Sequence, residues 1–389
     1  MKRWHVGTPI VTYWAGPSMT DAVAQQMADG GWNLVWCSEK ELDVAQRHGL
    51  RAMLSEGLVS PASLDNPEQR AKLDALIARV KGHPALYAYF ITDEPNASTF
   101  PSWAKLFAYL RERDPAHLAY LNLFPTYASN DQLGTKGDVA TAFTEHLRQY
   151  VDIVKPALIS YDHYQFMTGG GDTGQYFLNL ALVRKAAQDA GIPFLNIVQA
   201  ASWDPGVRVP TPEEVRYLVY TTLAYGAQGI SYYVYCCAGH TGAIAHPDGS
   251  PTELYRPLST LNREFVAIAS KLQSLKSLAI YHTAMMPQGG VALPDAATFR
   301  LDPPIAPMAY KPPEKVKGVL LAYFGTPGRP THVLAVNLDY THSVKTSVVG
   351  HGALEVFNPK TGAWKPSPNG EWANMLLMPG GGKLVRLHR

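Results

Sequence analysis

The sequence predicts an α/β protein: a (β/α)8 TIM barrel followed by a C-terminal antiparallel β-sandwich domain. Over about the first 275 residues, short apolar segments rich in Val, Ile, Tyr and Phe alternate eight times with longer segments of helical spacing. The turn after the first strand, YWAGPS, lacks the G-x-G-x-x-G pattern that an open doubly wound sheet usually carries there. Eight regular strand–helix units therefore favour the closed barrel.

Each barrel strand is predicted from a short apolar run, and a segment of helical spacing follows it. Several of these helical segments end at Gly or Pro just before the next strand, which is a typical helix stop. The predicted strands cover residues 9–15, 32–38, 50–56, 85–92, 118–124, 157–164, 193–200 and 229–236. The predicted helices cover residues 20–31, 41–49, 67–84, 101–115, 141–156, 176–191, 211–227 and 254–275.

The pattern changes at about residue 278, where the helical segments end. Short strand-like segments such as KGVLLAYFG, THVLAVNLD and GALEVFNP follow, separated by Gly, Pro and Asn turns. We therefore predict a barrel domain over residues 1–277 and a β-domain over residues 278–389. The Pro-rich stretch 287–315 is predicted to connect the two and to form the first irregular part of the β-domain.

Composition and charge argue against several classes of function. The formal net charge is +2 and there is no run of Lys or Arg, so nucleic acid is a poor partner. No apolar segment matches a signal peptide or a membrane span, so we expect a cytoplasmic protein that does not enter a membrane, unless a leader has been trimmed. The three cysteines form no framework of spaced pairs, so the fold should not depend on disulfides.

Catalytic residues of such barrels lie at the C-terminal ends of the strands, so the strand assignments select the candidates. Acids, amides and aromatic rings follow these ends, and together they are typical of a sugar pocket. Aromatic faces cover the apolar side of a pyranose, whereas acids and amides bind its hydroxyl groups. The candidates for substrate binding are Trp14, Asn122, Tyr161, Asp162, Tyr164, Gln199, Trp203, Tyr233 and Tyr235, and the candidates for catalysis are Asp93 and Glu94.

The adjacent acids Asp93 and Glu94 end the fourth predicted strand in the sequence YFITDEPN. Two neighbouring carboxylates do not both stay ionised easily in a low-dielectric site, so one pKa should rise. A protonated Glu94 beside an ionised Asp93 is the arrangement that a general acid needs near neutral pH. The structural alternative is that the pair only begins a helix, where acids satisfy free N–H groups.

The seventh predicted strand limits the mechanism. Retaining glycosidases with two protein carboxylates need a nucleophile about 5 Å from the acid. Barrel enzymes of that class carry the nucleophilic Glu at the end of strand 7, where this chain has Gln199. A neutral amide cannot act as that nucleophile, which leaves Asp162 or Glu56 as the remaining partners for Glu94.

Several of these residues also have plain structural interpretations. Tyr161 with Asp162 could be a core tyrosine beside a structural acid, and Tyr233 and Tyr235 could fill the barrel interior. A metal site is another alternative. His240, His246 and Asp248 could join Cys236 or Cys237, but their spacing matches no zinc pattern, and we predict neither a metal nor a cofactor.

The DEP stretch resembles the Asp-Glu pair of substrate-assisted β-N-acetylhexosaminidases, in particular β-N-acetylgalactosaminidases with DEP after strand 4 of a (β/α)8 barrel. The resemblance implies that the 2-acetamido oxygen of the substrate is the nucleophile, that Glu94 is the general acid and base, and that Asp93 orients the acetamido group. The sequence ISYDHY also resembles the Tyr-Asp pair that supports the acetamido group in chitinase-type barrels. YGAQGISYYVY resembles barrels of the β-galactosidase type in fold.

Three functions stay open at this point. The resemblance favours an exo-acting β-N-acetylhexosaminidase, with galactosamine preferred. A two-carboxylate β-glycosidase with Glu94 as its acid is the second, and a non-catalytic sugar-binding barrel is the third. All three predict a carbohydrate partner.

Overall fold

The computed structural model describes residues 3–388 apart from 171–173, 204–205, 238 and 313. Eight parallel strands form one sheet in the order β1-β8-β7-β6-β5-β4-β3-β2, and a helix follows each strand. This arrangement confirms the predicted (β/α)8 barrel. The strands are β1 (Ile10–Trp14), β2 (Leu34–Cys37), β3 (Arg51–Leu54), β4 (Leu86–Asp93), β5 (Leu118–Leu123), β6 (Ile159–His163), β7 (Phe194–Gln199) and β8 (Gly229–Tyr233).

The helices begin where the sequence supplies capping groups. Thr20 Oγ1 accepts a hydrogen bond from Val23 N, and Thr211 forms a reciprocal capping box with Glu214. The barrel helices are α1 (Asp21–Asp29), α2 (Leu42–Arg47), α3 (Pro67–Val80), α4 (Phe100–Arg113), α5 (Val139–Gln149), α6 (Tyr176–Ala190), α7 (Pro212–Ala224) and α8 (Tyr255–Leu272). Shorter helical turns span Glu39–Glu41, Ala62–Asp65, Ala97–Thr99, Asn130–Leu133 and Tyr150–Val154. Among the described residues, no helix is both long and apolar enough to cross a bilayer.

The barrel closes between β1 and β2, which stand at the two ends of the strand order. Asn33 joins them, because its Oδ1 accepts from Val11 N at 3.0 Å and its Nδ2 donates to Pro9 O at 2.9 Å. Trp36 Nε1 adds a bond of 2.7 Å to Tyr13 O. These bonds hold the two strands together at the seam.

Side chains along each strand alternate between the barrel interior and the helix layer. Trp14, Trp36 and Phe90 point inward and pack together below the mouth, with ring centroids 4.6 to 5.6 Å apart. Tyr232 points outward, where its hydroxyl donates to Asn262 Oδ1 on α8 at 2.7 Å. The interior ring cluster forms an apolar layer that supports the residues at the strand ends.

The C-terminal domain is antiparallel throughout and forms two packed sheets, as predicted. One sheet has the order β9-β11-β12-β17-β14-β15 and the other has the order β10-β13-β16. The first strand of the domain begins at Lys276, and the Pro-rich stretch contributes the short strand β10. The strands are β9 (Lys276–His282), β10 (Arg300–Asp302), β11 (Val319–Thr326), β12 (Arg329–Asn337), β13 (Val344–Val349), β14 (Leu354–Asn358), β15 (Ala363–Pro366), β16 (Trp372–Leu377) and β17 (Gly382–Leu387).

The larger sheet is buried on both faces. Val319, Leu321 and Tyr323 belong to the core between the two sheets, whereas Leu320 and Phe324 belong to the core shared with the barrel. Two apolar faces on one strand explain why its sequence, VLLAYFG, shows no alternation of polar and apolar residues. The C-terminal domain is therefore packed on the outer side of the barrel by apolar burial.

Candidate active site

A cavity of about 200 Å³ lies at the mouth of the barrel, at the C-terminal ends of the strands. Its walls come from β1, β4, β5, β6, β8 and the loop after β7. All eight of its lining residues are among the candidates predicted from the sequence. They are Trp14, Asp93, Glu94, Asn122, Asp162, Tyr164, Trp203 and Tyr233.

The end of β4 presents Asp93 and Glu94 to this cavity. The pairing of β4 with β5 shifts register between Phe90 and Thr92, so the strand carries an irregularity just before the acids. Glu94 then adopts a φ of 44°, in the left-handed region that favours glycine. Its backbone N–H donates to Asn122 O at 2.9 Å, which anchors this bend to the neighbouring strand. The backbone therefore turns both acids toward the mouth.

Asn122 connects two carboxyl groups of the cavity. Its Nδ2 donates to Asp93 Oδ1 at 3.1 Å and to Asp162 Oδ1 at 3.0 Å. Its own Oδ1 accepts a bond of 2.9 Å from Ser160 Oγ, which lies 2.7 Å from the hydroxyl of Tyr120. A chain of hydrogen bonds thus runs from the buried barrel interior to the acids at the mouth. Neither Ser160 nor Tyr120 was predicted from the sequence as part of the site.

The three carboxyl groups have raised pKa values because they lie close together and are surrounded by protein. Burial is the main cause of the raised pKa of Asp93, although Asp93 still contacts the solvent of the open cavity. Burial and the Asp93 charge raise the pKa of Glu94 to about 7. Burial, followed by the charges of Glu94 and Asp93, raises the pKa of Asp162 well above its usual range. Protons are therefore held in this cluster near neutral pH.

The carboxyl groups of Glu94 and Asp162 line the same cavity, and the charge of Glu94 raises the pKa of Asp162. Two carboxyl groups that interact in this way titrate as a pair, and one of them keeps its proton to a higher pH. Tyr164 lines the same cavity as Asp162. Since the described residues that line the cavity include neither Lys nor Arg, protons rather than cations balance the charge of the acids.

Three aromatic rings form the outer wall of the cavity. Tyr164, Trp203 and Tyr233 contact one another with ring centroids 4.6 to 5.0 Å apart. His240 supports this wall, because its Nε2 lies 3.1 Å from the hydroxyl of Tyr233 and its Nδ1 lies 3.1 Å from Cys237 O. The wall offers flat apolar faces next to acids, which suits a pyranose ring.

The structure does not bring three predicted residues into the cavity, and these predictions are corrected. Tyr161, Gln199 and Tyr235 are completely buried away from it. Tyr161 precedes Asp162 on β6, so its side chain points into the helix layer. Strand β8 ends at Tyr233, and Tyr235 lies beyond it with its hydroxyl donating to Gln26 Oε1 at 2.7 Å.

Gln199 serves the scaffold at the end of β7. Its Oε1 accepts from the backbone N–H groups of Gln165 and Phe166 at 3.1 and 2.9 Å. Its Nε2 donates to the carbonyl oxygens of Phe166 and Arg208 at 3.0 and 2.5 Å. Through these four hydrogen bonds Gln199 connects the loop after β6 to the loop after β7.

Glu56 lies outside the cavity and accepts a hydrogen bond from Glu39 N at 2.8 Å. Asp248 bonds the backbone and hydroxyl of Ser250, away from His240. Among the described residues, no group of three or more His, Cys, Asp and Glu side chains could hold a metal ion.

Cys236 and Cys237 form a disulfide between adjacent residues just after β8, and Cys37 is free and buried. Because the two bonded cysteines are neighbours, the bond closes no long loop.

Solved structures show that this architecture is shared with glycoside hydrolases. The chain is 14% identical to a glycoside hydrolase, with a TM-score of 0.55 over 97% of this chain and 92% of the other. It is 13% identical to a family 5 glycoside hydrolase from Bacteroides vulgatus, with a TM-score of 0.54 over 96% of this chain and 88% of the other. These two likenesses extend across the barrel and the β-domain.

A third solved structure is similar to a smaller part of this chain. The chain is 13% identical to a cold-adapted β-galactosidase from Rahnella sp. R3, with a TM-score of 0.52 over 72% of this chain and 58% of the other. The chain thus spans less than two thirds of that protein. No known family model and no curated protein sequence matches the chain. At these identities the likeness establishes the fold.

Proposed function

We propose that this protein is a glycosidase, an exo-acting β-N-acetylhexosaminidase that uses the 2-acetamido group of its substrate as nucleophile. The observation that carries the proposal is the cluster of Asp93, Glu94 and Asp162 that lines one cavity at the mouth, where burial and the Asp93 charge raise the pKa of Glu94 to about 7. The cavity of about 200 Å³ with its aromatic wall suits a single terminal sugar. An acid that keeps its proton near neutral pH beside a sugar pocket is suited to protonating a glycosidic oxygen.

The proposed reaction has two steps. In the first, the acetamido oxygen bonds to the anomeric carbon while the bond to the leaving oxygen breaks, and Glu94 gives its proton to that oxygen. In the second, water attacks the anomeric carbon of the bicyclic oxazolinium ion, and the Glu94 carboxylate takes the proton of the water. The acetamido group is restored, and the configuration at the anomeric carbon is retained.

Asp93 is proposed to accept a hydrogen bond from the acetamido N–H. Its negative charge would then balance the positive oxazolinium ion, an interaction that is strongest in the intermediate. Asn122 fixes the Asp93 carboxylate through its bond of 3.1 Å. Asp162 and Tyr164 support the other side of the cluster, so Tyr164 takes the place that the resemblance gave to Tyr161.

The two-carboxylate alternative fits this geometry less well. That mechanism needs a second carboxylate that is free to act as nucleophile or base. Asp162 Oδ1 accepts from Asn122 Nδ2 at 3.0 Å, and Glu56 lies outside the cavity. Asp162 also has a raised pKa, and a protonated carboxyl group is a poor nucleophile.

A panel of nitrophenyl β-glycosides tests the proposal. The 2-acetamido sugars, with the galacto isomer preferred, should be hydrolysed, whereas the 2-hydroxy sugars should be very poor substrates. Comparable turnover of β-galactosides or β-glucosides would favour the two-carboxylate alternative. Absence of turnover on every glycoside, combined with measurable sugar binding, would favour a non-catalytic barrel.

A further inference from the structure

A second cavity, of about 310 Å³, adjoins the first at the barrel mouth. Glu94 and Asp162 line both cavities, as do Tyr164 and Trp203. The rest of the second lining is mainly apolar, in contrast to the acids and amide of the first. Its apolar members are Phe124, Pro125, Tyr127, Ala128, Met167 and Val207.

The outer wall of the second cavity is an ordered contact between two loops. Met167, after β6, pairs with Val207, after β7, in an antiparallel bridge. Thr168 N donates to Gly206 O at 2.9 Å beside this bridge. Ser202 Oγ donates to Val207 O at 2.6 Å. The two apolar side chains are therefore held in place by backbone hydrogen bonds.

Tyr127 adds an aromatic ring to the lining of the second cavity. Its side chain is fixed, because its hydroxyl accepts from Tyr164 N at 3.3 Å and its ring contacts His163 with centroids 5.0 Å apart. Nevertheless 43% of this residue is exposed. A rigid aromatic ring with an exposed face loses little entropy when a flat apolar group packs on it, which is typical of a binding surface.

Polar partners are scarce in this cavity. Among the described residues that line it, Gln132 is the only amide, and its Oε1 already accepts from Ser129 N at 2.9 Å. A second sugar would place several hydroxyl groups against walls that offer them few hydrogen bonds, which costs affinity. An apolar group would be buried there without that cost.

We propose that the second cavity binds the leaving group of the substrate and that it prefers an aromatic or otherwise apolar aglycone. This inference rests on the proposed function, because it is Glu94 as general acid that places the glycosidic oxygen between the two cavities. The first cavity then holds the terminal sugar, and the second receives the group that departs. The substrate class is accordingly a β-N-acetylhexosaminide of an apolar alcohol.

Binding of two thioglycosides tests the proposal without requiring turnover. Benzyl and methyl 1-thio-β-N-acetylgalactosaminides carry the same sugar and differ only in the apolar group. Calorimetry should give a dissociation constant about tenfold lower for the benzyl compound, since one aromatic contact plus its burial is worth about 1.4 kcal/mol. Tyr127→Ala and Met167→Asn should each reduce that preference. Val291→Asn, an exposed apolar residue of the β-domain, is the matched control and should keep it.

The outcomes separate this inference from the proposed function. Equal affinities for the two thioglycosides would contradict the leaving-group site, as would a preference that survives in both variants. Tighter binding of a thio-linked disaccharide than of the benzyl compound would assign the cavity to a second sugar and also overturn the inference. Hydrolysis of 2-hydroxy sugars together with an intact benzyl preference would contradict the acetamido mechanism alone.

Discussion

Ser160 Oγ donates a hydrogen bond of 2.9 Å to Asn122 Oδ1, and this bond determines which end of the Asn122 amide faces the acids. Because Ser160 binds the Oδ1 of Asn122, the Nδ2 group of Asn122 points to Asp93 and Asp162. If the amide turned over, its oxygen would face two carboxyl groups and repel their charges. Ser160 therefore influences the charges of Asp93 and Asp162 through Asn122, although it does not line the cavity.

Ser160→Ala should therefore weaken catalysis from outside the cavity. We expect kcat/KM to fall roughly three- to tenfold, because one buried hydrogen bond is worth about 1 kcal/mol. The pH profile should also shift, since Asp93 and Asp162 lose a well-oriented donor. Ser160→Thr should rescue both effects.

Ser231→Ala is the matched control for Ser160→Ala. Ser231 is also a fully buried barrel serine, and its hydroxyl has no hydrogen-bond partner among the described residues. An equal loss of kcat/KM with an unshifted pH profile in both variants would indicate general destabilisation rather than a role in orienting Asn122.

Glu94→Gln should nearly abolish hydrolysis of unactivated glycosides. Loss of a general acid typically costs roughly 10² to 10⁴ in rate. Nitrophenyl glycosides should be less affected in the first step, because their leaving group needs little protonation. Glu56→Gln is the control for removal of a carboxylate outside the cavity. Wild-type turnover of a benzyl glycoside by Glu94→Gln would show that another group is the acid.

The pH profile of kcat/KM should have a basic limb near pH 7. Glu94 has a pKa of about 7, so it holds the proton that it donates below that pH and loses the proton as the pH rises through it. The acidic limb should reflect protonation of Asp93, whose pKa is raised by burial. Profiles of the wild type and of Glu94→Gln on a nitrophenyl glycoside should differ in the basic limb, and a limb that persists in the variant contradicts the assignment.

Stability should respond to pH in the same range. The folded protein holds the Glu94 proton up to about pH 7, whereas the unfolded chain releases it near the ordinary value of 4.5. Between these values the folded state binds more protons, so its free energy of unfolding falls as the pH rises. Glu94→Gln removes this contribution. The Tm of Glu94→Gln minus the Tm of the wild type should thus increase from pH 5 to pH 8. A constant difference would contradict the raised pKa of Glu94.

A stable mimic of the oxazolinium ion should distinguish the two chemical mechanisms. A thiazoline derived from N-acetylgalactosamine should bind tightly, since it resembles the charge and shape that the site stabilises. Asp93→Asn should weaken that binding and lower kcat, because its charge no longer balances the cation. Asp162→Asn should have the same effects more mildly.

A 2-fluoro sugar provides the opposite test of mechanism. It traps enzymes that form a covalent bond from a carboxylate to the anomeric carbon. Mass spectrometry should find no such adduct on this protein. An adduct on Asp162, Asp93 or Glu56 would contradict the acetamido mechanism.

Much of the fold and most of the cavity lining could be predicted from sequence because strand ends in a barrel converge on one face. Tyr161 shows where this reasoning stops. In a strand buried on both faces, neighbouring residues both look like core, so the apolar pattern does not say whether Tyr161 or Asp162 points inward. Tyr235 was misplaced for a related reason, since the apolar run YYVYC continues three residues past the end of β8.

Ser160 and the contact between His240 and Tyr233 were missed for different reasons. A signal for Ser160 existed, because residues two apart on a strand share a face and Asp162 was already a candidate. His240 reaches Tyr233 through the loop after β8, and loops have no periodicity that would reveal such a contact. The second cavity depends on the bridge between Met167 and Val207, which joins two loops that are distant in sequence.

The backbone bend at Glu94 has a consequence for protein engineering. A residue with a Cβ at a φ of 44° carries about 1–2 kcal/mol of strain that glycine would not. Glycine at this position should therefore raise the melting temperature while removing the proposed acid. Directed evolution for heat resistance without an activity screen is expected to favour that replacement, so thermostability and turnover select for different residues at position 94.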